Sequence, residues 1–237
     1  MKVIDSFRKV KPVLSFELFP PKRDTELQNI DATLEIMSSL KPDFISVTFG
    51  AGGSLNNNKT IALATKIKNT YKIEPVVHLT CVNYDTEEMD QLIRELQENG
   101  IENVLALRGD RNPDIPPKKD FMYATELVRH IHQKADFCVG GACYPECHPE
   151  SENRIADIAH LREKADAGAE FLITQLFFEN NYFYDFVEHC RIAGITAPIT
   201  AGIMPVINKA QIERMTSLCG ATLPPRFRRI LAVRLMC

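Results

Sequence analysis

ADAGAEFLITQLFF, Ala165–Phe178, holds a complete return from helix to strand: the end of an amphipathic helix, a glycine, then a nearly continuous apolar run. Glycine suits that place because, lacking Cβ, it takes positive φ without strain and so ends a helix cheaply. The same punctuation stands in QENGIENVLAL, Gln97–Leu107, and in RIAGITAPITAG, Arg191–Gly202, where Gly100 and Gly194 take the part of Gly168. Three returns of one kind mark successive units of one architecture, and the strand runs recur at about 30 residues, the size of a βα unit.

Working outward, seven strands are predicted: Val13–Phe19, Phe44–Phe49, Pro75–Cys81, Asn103–Gly109, Phe137–Tyr144, Phe171–Phe178 and Pro198–Met204. Most are apolar throughout, the pattern of parallel strands covered on both faces. Asp85, with Glu88 three residues on, opens a helix whose apolar stripe is Leu92, Ile93 and Leu96. Alternating strands and helices leave an open doubly wound sheet or a closed (β/α)8 TIM barrel. The first strand has no GxGxxG behind it, and polar residues recur near strand C-terminal ends: Glu17, Thr48, His78, Arg108 with Asp110, Tyr144 and Gln175. Both facts favour the α/β TIM barrel. Beyond the seventh strand, Asn208–Leu218 reads as a helix, and Pro-Pro with three arginines makes the last stretch another, Pro225 lying in its first turn. Strand eight is then missing. Residues 1–237 are expected to form a single catalytic barrel domain of about seven βα units without its closing unit, either a fragment or a natural short product.

Composition narrows the partners. With 28 Lys+Arg against 31 Asp+Glu the chain has a net charge of −3 and no basic stripe, so no nucleic acid is expected. An apolar fraction of 45% and a charged fraction of 25% are ordinary globular values. No apolar run approaches the ~18 residues of a membrane span, and the N-terminus lacks the apolar core of a secretory signal. A cytoplasmic protein with reduced thiols is expected, because seven cysteines are an odd count at low density.

Several residues carry chemistry. Glu17 interrupts an apolar run, where burial would raise its pKa and make it a general acid; the alternative is an ion pair with Lys22 or Arg23. LALRGD, Leu105–Asp110, can grip an anionic cofactor or be a turn with a surface ion pair. GGACYPECHPES, Gly140–Ser151, packs Tyr144, Glu146, His148 and Glu150 around two prolines that stiffen a strand-to-helix loop. Cys138, Cys143, Cys147 and His148 do not have structural zinc spacing, so buried thiols as apolar filler are expected and no metal site. Gln175 can read a heteroaromatic ring or satisfy the backbone of a neighbouring strand. The TFGAGGS loop, Thr48–Ser54, permits close backbone approach, and His130, His132, His160 and His189 are expected on solvated helix faces.

SFELFPPK, ISVTFGAGG, HLTC, LALRGD, YPECHPES, KADAGAEFLITQLFF and GIMPV, in this order across residues 13–206, together resemble the methylenetetrahydrofolate reductases, flavin-dependent (β/α)8 barrels. The resemblance implies reduction of 5,10-methylenetetrahydrofolate to 5-methyltetrahydrofolate by ping-pong hydride transfer from NAD(P)H through FAD, feeding methionine biosynthesis. It implies that Glu17 is the general acid and Asp110 the carboxylate beside the flavin and folate. FAD would be held by Thr48, His78, Arg108, Gly109, Asp110, Tyr123, Ala124, Tyr144, His148, Asp157 and Lys164. Folate would be bound by Gln175 and by Gln211, on the helix after strand seven. Met215 falls where related bacterial enzymes can have an aromatic. The implied partners are small molecules, folate and reduced nicotinamide, within a homo-oligomer or with a partner subunit. Two other readings are a truncated non-catalytic module that binds flavin or a partner, and a metal-dependent barrel enzyme using the Cys138–His148 segment.

Overall fold

The structure, a computed structural model, describes residues 1–20, 27–49, 57–110 and 118–234. Its strands are β1 Ser15–Leu18, β2 Phe44–Val47, β3 Glu74–Thr80, β4 Asn103–Leu107, β5 Cys138–Cys143, β6 Phe171–Thr174 and β7 Ile199–Thr200. Its helices are α1 Leu27–Ser39, α2 Asn57–Tyr71, α3 Thr86–Glu98, α4 Ala124–Lys134, α5 Arg154–Asp166, α6 Asn180–Ile192, α7 Lys209–Cys219 and α8 Pro225–Arg234. Every predicted apolar run overlaps a strand. The last stretch is helical, with Pro225 as its first residue, so the described residues hold seven strands.

The strands run in chain order from β1 to β7, and the registered neighbours, such as Glu17 opposite Ser46 and His78 opposite Leu105, are parallel. A doubly wound sheet reverses its order at a switch point. This order does not reverse, and it is that of a (β/α)8 barrel through its seventh strand. Among the described residues no helix is long and apolar enough to cross a membrane.

Two compact units make up the chain: Met1–Gly141 with Ala167–Glu170, and Ala142–Asp166 with Phe171–Cys237. In the first, alternate strand residues pack with the helices: Ile45 and Val47, Val77 and Leu79, Val104 and Ala106 join Leu34, Ile67, Leu96 and Leu127 in one buried cluster. Period two then turns Glu17, Ser46, His78 and Leu105 to the opposite face of the strands. α3 is set by the predicted capping box, Asp85 accepting from the Glu88 amide at 3.0 Å and Glu88 from the Asp85 amide at 3.0 Å. Gly168 has φ +115°, and a Cβ there would lie 2.6 Å from the His132 ring, so this return admits only glycine comfortably.

His130 corrects one expectation. Its Nε2 meets Asp90 Oδ1 at 2.7 Å and its ring packs edge-on against Phe121, leaving 12% of the side chain exposed, because α4 lies against α3 along this face. His132, His160 and His189 are exposed, as expected.

At the N-terminal ends of the strands, a 3-10 helix, Val3–Arg8, supplies buried Val3 and Ser6. The Val3 amide donates to Asn103 Oδ1 at 2.7 Å, and Asn103 Nδ2 donates to the carbonyls of Met1 at 3.1 Å and Pro75 at 3.4 Å. In the second unit, Cys143, Leu161, Leu172, Phe186 and Cys190 form one core, while Ile212, Leu223 and Leu231 form another with Met215 against it. Burial pushes the Cys81, Cys138 and Cys190 thiols up to about 12 and Cys143 up as well, which makes them apolar filler at neutral pH.

Candidate functional site

Strand ends place the polar residues. Thr48, Arg108, Tyr144 and Gln175 are each the first residue beyond a strand, and Glu17 and His78 lie within the last turns of β1 and β3. The first unit carries Glu17, Thr48, His78, Arg108, Gly109, Asp110, Tyr123 and Ala124.

Glu17, Ser46 and His78 share one face of β1, β2 and β3. Glu17 Oε2 lies 3.6 Å from His78 Nε2. Neighbouring protein raises the Glu17 pKa by desolvation, and a hydrogen bond from Ser46 partly offsets it. The carboxyl is less enclosed than its apolar run predicts, with 46% of the side chain exposed; among the described residues β1 begins the strand order and has β2 alone as its neighbour. Lys22 and Arg23, the alternative ion-pair partners, lie outside the described residues. His78 is buried, and desolvation pushes its pKa down to about 4, so the imidazole is neutral near pH 7. Ser46, 3% exposed, was not predicted; its signal is a hydroxyl residue two before Thr48 in an apolar strand.

Thr48 closes β2, its amide donating to Leu18 O at 2.9 Å and its carbonyl accepting from the Thr60 hydroxyl at 3.2 Å. Residues 50–54 of the glycine-rich loop lie outside the described residues. Gly109 has φ +85°, and a Cβ on it would sit 2.9 Å from Thr80 Cβ; the RGD segment is thus a backbone turn pressed against β3. The Arg108 carbonyl accepts from the Cys81 amide at 3.1 Å and the Val82 amide at 2.9 Å, tying the two strand ends together. Asp110 is exposed beyond that turn. Tyr123 and Ala124 begin α4, where the Glu126 carboxylate accepts from the Met122 and Tyr123 amides at 2.6 and 3.0 Å.

The second unit carries Tyr144, His148, Asp157, Lys164, Gln175 and Gln211. Four of these are gathered around the β5–α5 loop. The Tyr144 and His148 rings pack edge to face with centroids 4.6 Å apart. Asp157 accepts from the His148 amide at 3.2 Å and from the Ser151 hydroxyl at 3.0 Å, while His148 Nδ1 accepts from the Glu150 amide at 3.1 Å. Lys164 Nζ donates to Ala142 O at 2.7 Å, and desolvation lowers its pKa against the opposing pull of Cys143 and Asp157. Glu146, unassigned by the sequence reading, accepts the Thr222 amide with both oxygens at 3.0 Å and ties this loop to the α7–α8 connection. Gln175 Oε1 accepts from its own neighbour's amide, Leu176 N, at 3.0 Å. Gln211 is exposed in the first turn of α7, apart from the loop cluster in sequence and held there by the Asn208 cap. Among the described residues no group of three or more His, Cys, Asp or Glu is placed to hold a metal.

Comparison with known proteins identifies the family. The sequence profile of the family Methylenetetrahydrofolate reductase matches residues 2–234. Methylenetetrahydrofolate reductase (NADH) 1 of Arabidopsis thaliana is 37% identical over 243 residues, covering 94% of this chain and 41% of its own length. The 5,10-methylenetetrahydrofolate reductase of Escherichia coli strain K12 is 38% identical over 213 residues, covering 89% of this chain and 70% of its own length. The chain therefore spans about two fifths of the plant relative. Among solved structures, a Clostridium thermocellum protein that binds two copies of 5-methyl-5,6,7,8-tetrahydrofolic acid superposes with a TM-score of 0.67 at 13% identity, over 95% of this chain and 77% of that one. That likeness concerns the fold. With a family match along nearly its whole length, the chain belongs to the methylenetetrahydrofolate reductase family.

Proposed function

We propose that this chain reduces 5,10-methylenetetrahydrofolate to 5-methyltetrahydrofolate with FAD as its cofactor and NADH as the electron source, the nicotinamide named for the plant relatives. The observation that carries the reading is the Glu17 carboxyl, raised in pKa and set beside a neutral His78 on the strand face. A carboxyl whose pKa is raised holds its proton more readily, and a placed proton donor is what opening a methylene bridge requires.

The donor set fits FAD. In the first unit the Arg108 guanidinium suits phosphate oxygens, the Thr48 hydroxyl suits polar sugar atoms and the Gly109 turn lets backbone come close without a Cβ; in the second, half-buried Lys164 suits an anionic group and the His148 edge suits polar ring atoms. Thr48, His78, Arg108, Gly109, Asp110, Tyr123 and Ala124 of the first unit, and Tyr144, His148, Asp157 and Lys164 of the second, are the residues we assign to holding it. The chemistry FAD supplies when bound is ping-pong hydride transfer, from reduced nicotinamide in one half-reaction and to the folate in the other. Glu17 donates the proton that opens the methylene bridge to the reactive iminium. Asp110 places a negative charge that steadies the cationic folate, and Gln175 and Gln211 orient the pterin. We read the seven βα units as one catalytic domain.

Anaerobic visible spectroscopy of the FAD-loaded protein tests the reading. NADH should bleach the flavin band and methylenetetrahydrofolate should restore it. Folded protein that takes up no flavin, or a flavin that folate cannot reoxidise, overturns the assignment.

A further inference from the structure

His78 is buried to 7% exposure, and its Nε2 has no hydrogen-bond partner among the described residues. A buried ring nitrogen without a partner is costly, and such exceptions in a folded chain ask for an explanation. Glu17 Oε2, at 3.6 Å, is the carboxylate facing it. The separation is just beyond a hydrogen bond, and a small rotation of the half-exposed Glu17 side chain closes it. Among the described residues no charged group competes for either partner: desolvation acts on His78, and desolvation with the Ser46 hydroxyl of β2 acts on Glu17, while β4 presents Leu105 opposite His78.

We infer that His78 is a positioning residue for Glu17, its neutral Nε2 accepting the hydrogen bond of the protonated carboxyl and so holding the acid proton in place. The inference rests on the proposed role of Glu17 as the acid. When the carboxyl loses its proton, the Nε2 lone pair faces an anion, which is unfavourable, so the pair recaptures a proton before the next turnover. Ser46, opposite Glu17 on the adjacent strand with its hydroxyl also donating to Phe16 O at 3.5 Å, acts against the rise in the carboxyl's pKa. Ring tautomer follows from the role: Nδ1 carries the hydrogen and Nε2 does not.

The test is an NMR titration of the purified chain carrying 13C-labelled glutamate and 15N-labelled histidine, without folate or nicotinamide, with Glu17 assigned by its loss in Glu17→Gln. His78→Leu should lower the Glu17 midpoint by about one pH unit, a tenfold drop in proton affinity. An unchanged or higher midpoint overturns the inference, since it makes Nε2 a bystander or a donor to the carboxylate. Should His78→Leu fail to fold, the wild-type histidine signal decides: Nε2 should read as unprotonated near neutral pH and shift in step with the Glu17 titration, and that step should vanish in Glu17→Gln. A protonated Nε2, or a step that survives in Glu17→Gln, overturns it. Turnover is read separately: coupled titration without turnover sinks the reductase reading alone, and turnover with uncoupled titration sinks the pair alone.

Discussion

Asn103 and His78 are both buried polar residues, on neighbouring strands of the first unit, and they are treated in opposite ways. Asn103 opens β4 at the N-terminal end of the strands, and its amide is met on both sides by Val3, Met1 and Pro75. His78 lies toward the C-terminal end of β3 with Nε2 unmet and an acid 3.6 Å away. A satisfied polar group holds a fold together, whereas an unsatisfied one is kept against a stability cost and asks for an explanation, which for His78 the facing acid supplies. The two ends of one pair of strands thus divide the work of stability and function, as barrels generally do.

The sharpest way to break this comparison is acid. The folded pKa of His78 is about 4 against 6.5 unfolded, so below pH 6.5 the unfolded chain takes up a proton that the folded chain refuses. The stability of the first unit is full above pH 6.5 and falls as pH drops toward 4, by about 3 kcal/mol from this residue. Urea midpoints across that range measure it, and His78→Leu should remove this part of the decline while changing stability little at pH 7. A wild-type decline that His78→Leu leaves intact would place the acid sensitivity elsewhere.

Asn103→Leu should act in the reverse sense. It strands the Val3 amide and the carbonyls of Met1 and Pro75, which costs about 2 kcal/mol at any pH from 5 to 8 and should leave FAD affinity unchanged. Gly109→Ala is expected to cost about 1.5 kcal/mol, because the new Cβ presses on Thr80 and φ +85° strains it, and to weaken FAD binding as well. The combined loss distinguishes a strand-end position from Asn103. Smallest is Asp85→Ala, about 1 kcal/mol by urea denaturation through loss of the α3 cap, with no effect on cofactor or substrate.

How much of this is written in the sequence depends on range. Strands appear as apolar runs, the α3 cap as Asp85 and Glu88 three residues apart, and the helix ends as Gly100, Gly168 and Gly194, all with positive φ. These are local signals. Strand-end residues Thr48, Arg108, Tyr144 and Gln175 were legible for the same reason, since strand direction fixes which end each occupies. The Val3–Asn103, Asp90–His130 and Glu146–Thr222 contacts join residues 100, 40 and 76 positions apart, and no periodicity pairs such residues. Glu17 was legible as an exception in an apolar run, but Ser46 beside it and the unpartnered Nε2 of His78 emerge only when β1, β2 and β3 align.

The central claim is that Glu17 acts as the acid in folate reduction, and rapid mixing of NADH-reduced, FAD-loaded protein with methylenetetrahydrofolate tests it most directly. Glu17→Gln should bleach with NADH as the wild type does, yet recover its flavin band on folate about 10²- to 10⁴-fold more slowly, the contribution of a placed acid. Equal recovery in both proteins would contradict the account.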